Sequence, residues 1–186
     1  PDIFVTKLDS NGNLVWVRKQ GGNFQDFGIS IAVDSNGNTY TIGHVGIDCF
    51  ITKRDSNGNL VWENQIGSSG IGFYGNSIVV DSSSNSYITG SLTLKDATNS
   101  LLKLDSGGNL VWLKNLGGVG NDIAVDDSDN LYITGGFNGI ADFDPGAGIA
   151  NLTSNGGSDI FVTKLGNSSL PTISIDSPKV IEGTGG

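Results

Sequence analysis

Phe4-Val5-Thr6-Lys7-Leu8-Asp9-Ser10-Asn11-Gly12-Asn13-Leu14-Val15-Trp16 is the stretch whose reading decides the fold of this 186-residue chain. It returns almost letter for letter as Phe50-Ile51-Thr52-Lys53-Arg54-Asp55-Ser56-Asn57-Gly58-Asn59-Leu60-Val61-Trp62. A third copy is Leu101-Leu102-Lys103-Leu104-Asp105-Ser106-Gly107-Gly108-Asn109-Leu110-Val111-Trp112, and the first half recurs at Asp159–Leu165. Within each copy, alternation puts Phe4, Thr6 and Leu8 on one face and Val5 and Lys7 on the other, the period of a strand. Leu14 and Trp16 share a face of a second strand. The Asp-Ser-Asn-Gly-Asn between them is turn chemistry: Asp and Asn bond nearby backbone, and Gly accepts positive φ. The unit is a β-hairpin.

A second hairpin recurs out of phase with the first. It is Ile31-Ala32-Val33-Asp34-Ser35-Asn36-Gly37-Asn38-Thr39-Tyr40-Thr41-Ile42-Gly43, with copies at 78–90 and 123–135. Its Ile-Ala-Val strands are apolar on both faces, which predicts that they are covered on both sides. Two hairpins per period make four strands per period, and the period is 46 residues from Lys7 to Lys53 and 50 from Lys53 to Lys103. Four short strands every 40 to 50 residues or so is the signature of a propeller blade. The strands of one period are A (Ile-Ala-Val), B (Tyr-Ile-Thr-Gly), C (Phe-Val-Thr-Lys-Leu) and D (Leu-Val-Trp).

The fold class that follows is all-β, with four-stranded antiparallel β-propeller blades and almost no helix, as the 29 glycines also suggest. Residues 1–168 divide into a partial blade (1–19), two full blades (29–66 and 76–116) and an incomplete blade (121–165). Residues 137–157 read as one long irregular connection, and 169–186 as a linker opening a further β domain. The strand count is two, four, four and three. Because the chain opens inside a strand-C motif and lacks a last Leu-Val-Trp strand, it reads as an open arc of about three blades cut from a larger propeller.

Composition limits partners. The net charge is −9, with 17 Asp against two Glu, and six of the Asp sit at repeat positions 9, 34, 55, 81, 105 and 126. This acidity disfavours nucleic acid and anionic membranes. No apolar run reaches spanning length, and the single cysteine, Cys49, allows no internal disulfide.

The alternation Ile-Ala-Val-Asp-x-x-Gly-Asn-x-Tyr-x-x-Gly with Phe-Val-Thr-Lys-Leu-Asp-x-x-Gly-Asn-Leu-Val-Trp resembles the bacterial β-propeller repeat called SBBP, over about residues 2–165. Ala141-Asp142-Phe143-Asp144-Pro145-Gly146 is similar to an insertion in some copies of that repeat, and the tail from Pro171 to Gly183 resembles the opening of a Calx-β domain. The resemblance implies a large, multidomain, secreted or surface-attached bacterial protein with no established chemistry. Ser100, where Phe4, Phe50 and Phe161 stand in other copies, and Arg54, where Leu8 stands, depart from the pattern and predict locally weaker packing.

Candidate sites each carry a structural reading and a functional one. Trp16, Trp62 and Trp112 occupy one blade position; they read as fillers between blades, with a carbohydrate-binding row as the other possibility. The strand-B glycines Gly43, Gly90 and Gly135 read as structural. The Asp turns carry oxygen ligands but lack the span and closing Glu of an EF-hand; Asp126-Asp127-Ser128-Asp129-Asn130 is the densest. Asp142 and Asp144 in the long connection, with Asp159 beyond it, are weak calcium candidates, and Ca²⁺ is the only cofactor entertained. His44 and Cys49 could suggest a nucleophile and base or a metal pair, but there is no second His or Cys. Gly67-Ser68-Ser69-Gly70-Ile71-Gly72 lacks the Gly-Lys-Ser/Thr ending of a phosphate loop.

The A–B and C–D turns are short and repetitive and fall on one face. The B–C and D–A connections vary and fall on the other, at 20–29, 44–49, 67–75, 91–99, 117–121 and 136–158. Binding sites favour variable loops on a rigid scaffold. The functional expectation is a non-enzymatic extracellular or cell-surface repeat scaffold. Its partners would be an unknown protein or carbohydrate ligand on that variable face, and further blades of the parent chain. A calcium-dependent adhesive module is the first alternative. A propeller lyase or hydrolase is the second, weakened by Ile, Ala and Val on the inner strands and a single His.

Overall fold

The computed structural model describes residues 2–21, 25–45, 48–67, 72–92 and 99–166. Among these there is no helix. The first sheet is the hairpin β1 (Ile3–Leu8) and β2 (Leu14–Gln20), the C and D strands of the first period. The second sheet runs β3 (Asp26–Val33), β4 (Thr39–Val45), β5 (Asp48–Arg54), β6 (Leu60–Ile66) in spatial and chain order. The third repeats it as β7 (Phe73–Val80), β8 (Ser86–Leu92), β9 (Asn99–Leu104), β10 (Leu110–Leu116). The fourth has three strands, β11 (Val119–Val125), β12 (Leu131–Phe137) and, after the short hairpin β13 (Ile140–Asp142) and β14 (Asn151–Thr153), β15 (Asp159–Leu165). All pairings are antiparallel. The result is a stack of meander sheets consistent with propeller blades, not closed into a ring.

The A strands start earlier than the alternation predicts. Each runs through a bulge, at Gly28/Ser30, Gly75/Ser77 and Gly120/Asp122, so the residues ahead of Ile-Ala-Val join the sheet after a register shift. The Gly at each bulge lies under the preceding sheet, where a side chain would meet Ile3 at Gly28, Ile42 at Gly75 and Thr89 at Gly120. A side chain at the paired strand-B glycines Gly43, Gly90 or Gly135 would run into the carbonyls of Phe27, Tyr74 and Val119.

The core lies between sheets. Tyr40, Ile42, Cys49 and Ile51 of the second sheet meet Phe73, Ile78, Ile88, Leu102 and Leu104 of the third. Tyr87, Leu101 and Leu116 of the third meet Ile123, Leu131, Ile133, Phe161 and Leu165 of the fourth. Strands β8 and β9 of the third sheet thus send alternate side chains to the second sheet (Ile88, Leu102 and Leu104) and to the fourth (Tyr87 and Leu101). Ser100 and Arg54, the two departures from the repeat, are both buried, Arg54 donating from Nη1 to the Gly58 carbonyl at 3.4 Å.

Two expectations are corrected. The inner strands are not all covered on both sides: Ile31 and Val33 of β3 are exposed, because no A–B hairpin lies beside β1 among the described residues. The connection over 137–157 is not irregular throughout, since it contains β13 and β14. The last D–A connection is two residues, Gly117 and Gly118, between β10 and β11. The expected domain start at 171–183 lies outside the described residues.

Candidate functional site

The six Asp turns share one geometry. The Asp N–H bonds the carbonyl of the Asn four residues on, and the N–H three residues on bonds the Asp carbonyl, at 2.9–3.0 Å throughout. In the first, Asp9 Oδ1 accepts the N–H groups of Asn11 (2.9 Å) and Asn13 (2.8 Å), while Oδ2 accepts Asn13 Nδ2 at 2.9 Å. The same set recurs at Asp34, Asp55, Asp81, Asp105 and Asp126. Hydrogen bonding favours the carboxylate form. The Asn side-chain bond, then the Asn backbone bond, hold Asp9, Asp55 and Asp105 below the usual carboxylate range, and Asp126 at about 2. At Asp34 burial pushes upward, and bonds from Asn38, Ser84 and Asn36 outweigh it. These carboxylates act as turn braces.

The position three residues after each Asp takes a left-handed backbone: Gly12, Gly37, Gly58 and Gly108, but also Ser84 (φ 63°) and Asp129 (φ 59°). Only glycine adopts this region without cost. The two exceptions each bond across sheets. Ser84 Oγ donates to Asp34 Oδ2 at 3.0 Å, and Asp129 accepts the Ser82 N–H at 2.8 Å and Ser82 Oγ at 2.6 Å. Three successive A–B turns are thereby tied in a row.

The C–D turns are tied in parallel fashion. Trp16 Nε1 and Lys7 Nζ both donate to the Ser56 carbonyl, at 3.1 and 3.2 Å; one period on, Trp62 Nε1 and Lys53 Nζ donate to the Ser106 carbonyl, at 3.2 and 3.3 Å. The rings lie over Gly58 and Gly108, where any Cβ would sit 2.9 Å from them. Lys53, Lys103 and Lys164 stand 4.9, 4.9 and 5.0 Å from the ring centroids of their cross-strand partners Tyr40, Tyr87 and Tyr132. Trp16 is buried, and Trp62 and Trp112, at the same strand-D position, are half-buried. The three indoles lie against neighbouring turns or tyrosines, not in an open row: Trp62 meets Tyr40 at 6.0 Å, and Trp112 meets Tyr87 at 6.0 Å.

The calcium candidates are placed as follows. Asp142 Oδ1 accepts the N–H groups of Asp144 (3.0 Å) and Ala150 (2.8 Å), and the Ala150 bond foremost lowers its pKa. Asp144 Oδ1 accepts the Gly146 N–H at 2.7 Å, and Asp159 Oδ2 that of Asn155 at 2.8 Å. Among the described residues no three His, Cys, Asp or Glu side chains come together. What the insertion does contribute is Phe143. It is fully buried, with ring centroids 5.3 Å from Phe137 and 4.6 Å from Phe161. The sequence signal for this anchor was an aromatic flanked by two turn-forming Asp, overshadowed by the carboxylates. The hairpin packs so closely on Gly117 that a side chain there would meet the Asp142 backbone at 2.5 Å.

His44 and Cys49 are cross-strand partners. Cys49 is buried in the apolar cluster, and burial pushes its thiol up to about 12, so it stays protonated and unreactive. His44 instead lies 5.0 Å from Tyr74 of the next sheet. Tyr74 and its repeat equivalents Phe27 and Val119 begin the A strands and are exposed at 39, 52 and 47%. Large apolar side chains at one exposed blade position, on the face of the variable connections, make the described candidate surface. Much of the rest of that face (22–24, 46–47, 68–71 and 93–98) lies outside the described residues.

Two stretches, residues 15–44 and 61–91, match the SBBP family, described as a β-propeller repeat. Each match runs from strand D of one sheet to strand B of the next. No curated protein matches the chain. Among solved structures, the chain is similar to a protein of unknown function from Bacteroides caccae, at 9% identity and a TM-score of 0.49, over 93% of this chain and 71% of that one.

Proposed function

We propose that the chain is a non-enzymatic, extracellular or cell-surface repeat scaffold, one part of a larger multidomain protein. It contacts a protein or carbohydrate ligand through the face that carries the B–C and D–A connections. The observation that carries this reading is the division of labour between the two faces. On the turn face, Asp, Asn, Trp, Lys and Ser groups are spent on bonds within turns and between neighbouring sheets. On the other face, Phe27 and Tyr74 stand exposed beside His44 at the mouths of adjacent sheets. Exposed aromatics on a rigid support are the usual anchors of carbohydrate and protein contact. The SBBP matches support the scaffold part of the reading.

The test compares the unaltered chain with the double variant Phe27→Ser/Tyr74→Ser on a glycan array and on immobilised bacterial cell-wall polysaccharides. Binding by the unaltered chain should fall at least about tenfold in the variant, while Asp9→Asn, on the turn face, leaves it unchanged. Turnover of glycoside or ester substrates that disappears in His44→Ala overturns the non-enzymatic assignment. Unchanged binding in the double variant moves the ligand site elsewhere.

A further inference from the structure

We propose that the groove between β1 and the open face of β3 and β4 is an acceptor for a β-hairpin of the A–B kind, supplied by a further repeat of this type. The second strand of that hairpin adds to the free edge of β1, and its first lies beside β3.

The sheets inside the chain show what covers each position. Ile78 and Ile123, at equivalent places in β7 and β11, are 3 and 4% exposed. Ile78 packs with Tyr40 and Ile42, and Ile123 packs with Tyr87, all from strand B of the preceding sheet. Ile31, their equivalent in β3, is 53% exposed, and Val33 is 60% exposed. Val80 and Val125, which match Val33, are packed against the same two clusters. The side chains of β3 are therefore of the right kind for a strand B, and none of the described strands occupies that place.

The C and D strands of that sheet are already in place. Ile3 and Val5 of β1 are buried, and Ile3 reaches over Gly28 and Gly43 of the next sheet as Ile42 and Cys49 reach over Gly75. Among the described residues only β2 pairs with β1, and no strand of theirs takes its other edge, where N–H and C=O groups can receive one. Between this edge and β3 lies a groove of about 400 Å³, lined by residues 2–6 and 28–31 with Thr41 and Ile42. Its turn-face end also matches: Tyr40 donates from its hydroxyl to the Ser84 carbonyl of the next A–B turn, and Gly37 is the residue of β3–β4 equivalent to Ser84. A strand-B tyrosine in the groove has the Gly37 carbonyl before it.

A second copy of this chain is a poor donor. Its A–B hairpins, β3–β4, β7–β8 and β11–β12, each continue in full register into a strand C, and releasing one would break a ladder of six or seven residue pairs. The occupant is a hairpin with the Ile-x-Val-Asp and Tyr-x-x-Gly pattern whose own strand-C partner is β1. Such strand addition draws affinity from main-chain bonds and specificity from the alternate side chains.

The probe is a synthetic peptide of residues 73–92, the chain's own β7–β8, added to the full chain and followed by amide hydrogen exchange. It should bind one to one and slow exchange of the β1 amides that face away from β2 by at least about tenfold. Ile31→Asp/Val33→Asp, at two exposed positions, should abolish the effect without unfolding the chain. Because an isolated hairpin is barely folded, the same segment is also joined ahead of Asp2 through a short Gly-Ser linker. The extended chain should melt higher than the parent, and Ile31→Asp/Val33→Asp should erase the gain while leaving the parent unchanged. Protection at β15 instead of β1, no gain in the extended chain, or concentration-dependent dimers of the parent that vanish in Ile31→Asp/Val33→Asp each overturn the proposal, the last in favour of a second copy.

Discussion

Ser84 and Asp129 show how a single position can exchange local comfort for a long-range bond. Four of the six turns put glycine at the left-handed position, and these two do not. A non-glycine residue there carries strain of the order of 1 kcal/mol, offset here by hydrogen bonds to the neighbouring sheet. Ser84→Ala keeps the strain and loses the bond, and is expected to cost about 1–2 kcal/mol in urea unfolding. Ser84→Gly loses the bond but relieves the backbone, and should cost less than Ser84→Ala. The reverse order would show that the left-handed backbone at position 84 carries no strain for glycine to relieve. The turn carboxylates also set the acid limit. The folded-state pKa of Asp126 lies at about 2, below its ordinary 3.8, through bonds from Asn130, Ser128 and Tyr132. A depressed carboxylate contributes stability above its unfolded pKa and loses it as pH falls through its folded pKa. The urea midpoint should therefore hold near neutrality and drop as pH is lowered from about 4 to about 2. Asp126→Asn should flatten part of that drop.

At the scale of elements, the hairpins were legible and their joins were not. Asp-x-x-Gly-Asn between alternating strands located β1–β2, β5–β6 and β9–β10 because turn chemistry and side-chain period agree there. The first residues of β3, β7 and β11 were missed because a bulge resets the alternation at Gly28, Gly75 and Gly120. The strands β13 and β14 were missed because three residues carry too little period to see. The candidate surface was legible only as a set of loops. That Tyr74 meets His44 depends on how one sheet stacks on the next, which no spacing within a blade specifies. Two predictions belong here. Phe143→Ala should destabilise by about 3–5 kcal/mol and speed exchange in β13 and β14 before the rest, since that ring is what fixes the insertion. Trp62→Ala should cost about 2 kcal/mol, less than for a fully buried indole, because half-burial against Gly108 leaves one edge in solvent. A loss below about 1 kcal/mol would make a binding role for the indole the better account.

Across the whole molecule, the boundaries between the second, third and fourth sheets share most of their parts: a Tyr from one strand B, Ile and Val from the next strand A, and a hydroxyl or carboxylate between A–B turns, with Thr89 of β8 standing where β4 has Ile42. Stability in such a stack is a sum over units and their nearest-neighbour contacts. Joining Val61 directly to Trp112 removes one period in phase. The shortened chain is expected to remain folded with two matched sheets, to show a smaller denaturant m-value in proportion to the lost surface, and to keep an all-β circular dichroism spectrum. Collapse to an unfolded chain would mean that the two boundaries are not equivalent. A chelator, by contrast, should leave the melting temperature unchanged, since the carboxylates of Asp142, Asp144 and Asp159 each brace a local turn.

The equivalence of those boundaries also bears on inheritance. A stretch of coding sequence that repeats itself nearly letter for letter invites misaligned recombination, which adds or removes one period at a time. In most folds such an event strands half a core. Here an in-phase crossover leaves strand B of one unit facing strand A of another of the same pattern, so the new length is a working length. At any copy number, Gly43, Gly90 and Gly135 leave no room for a side chain, each pressed against the carbonyl of its neighbouring strand A.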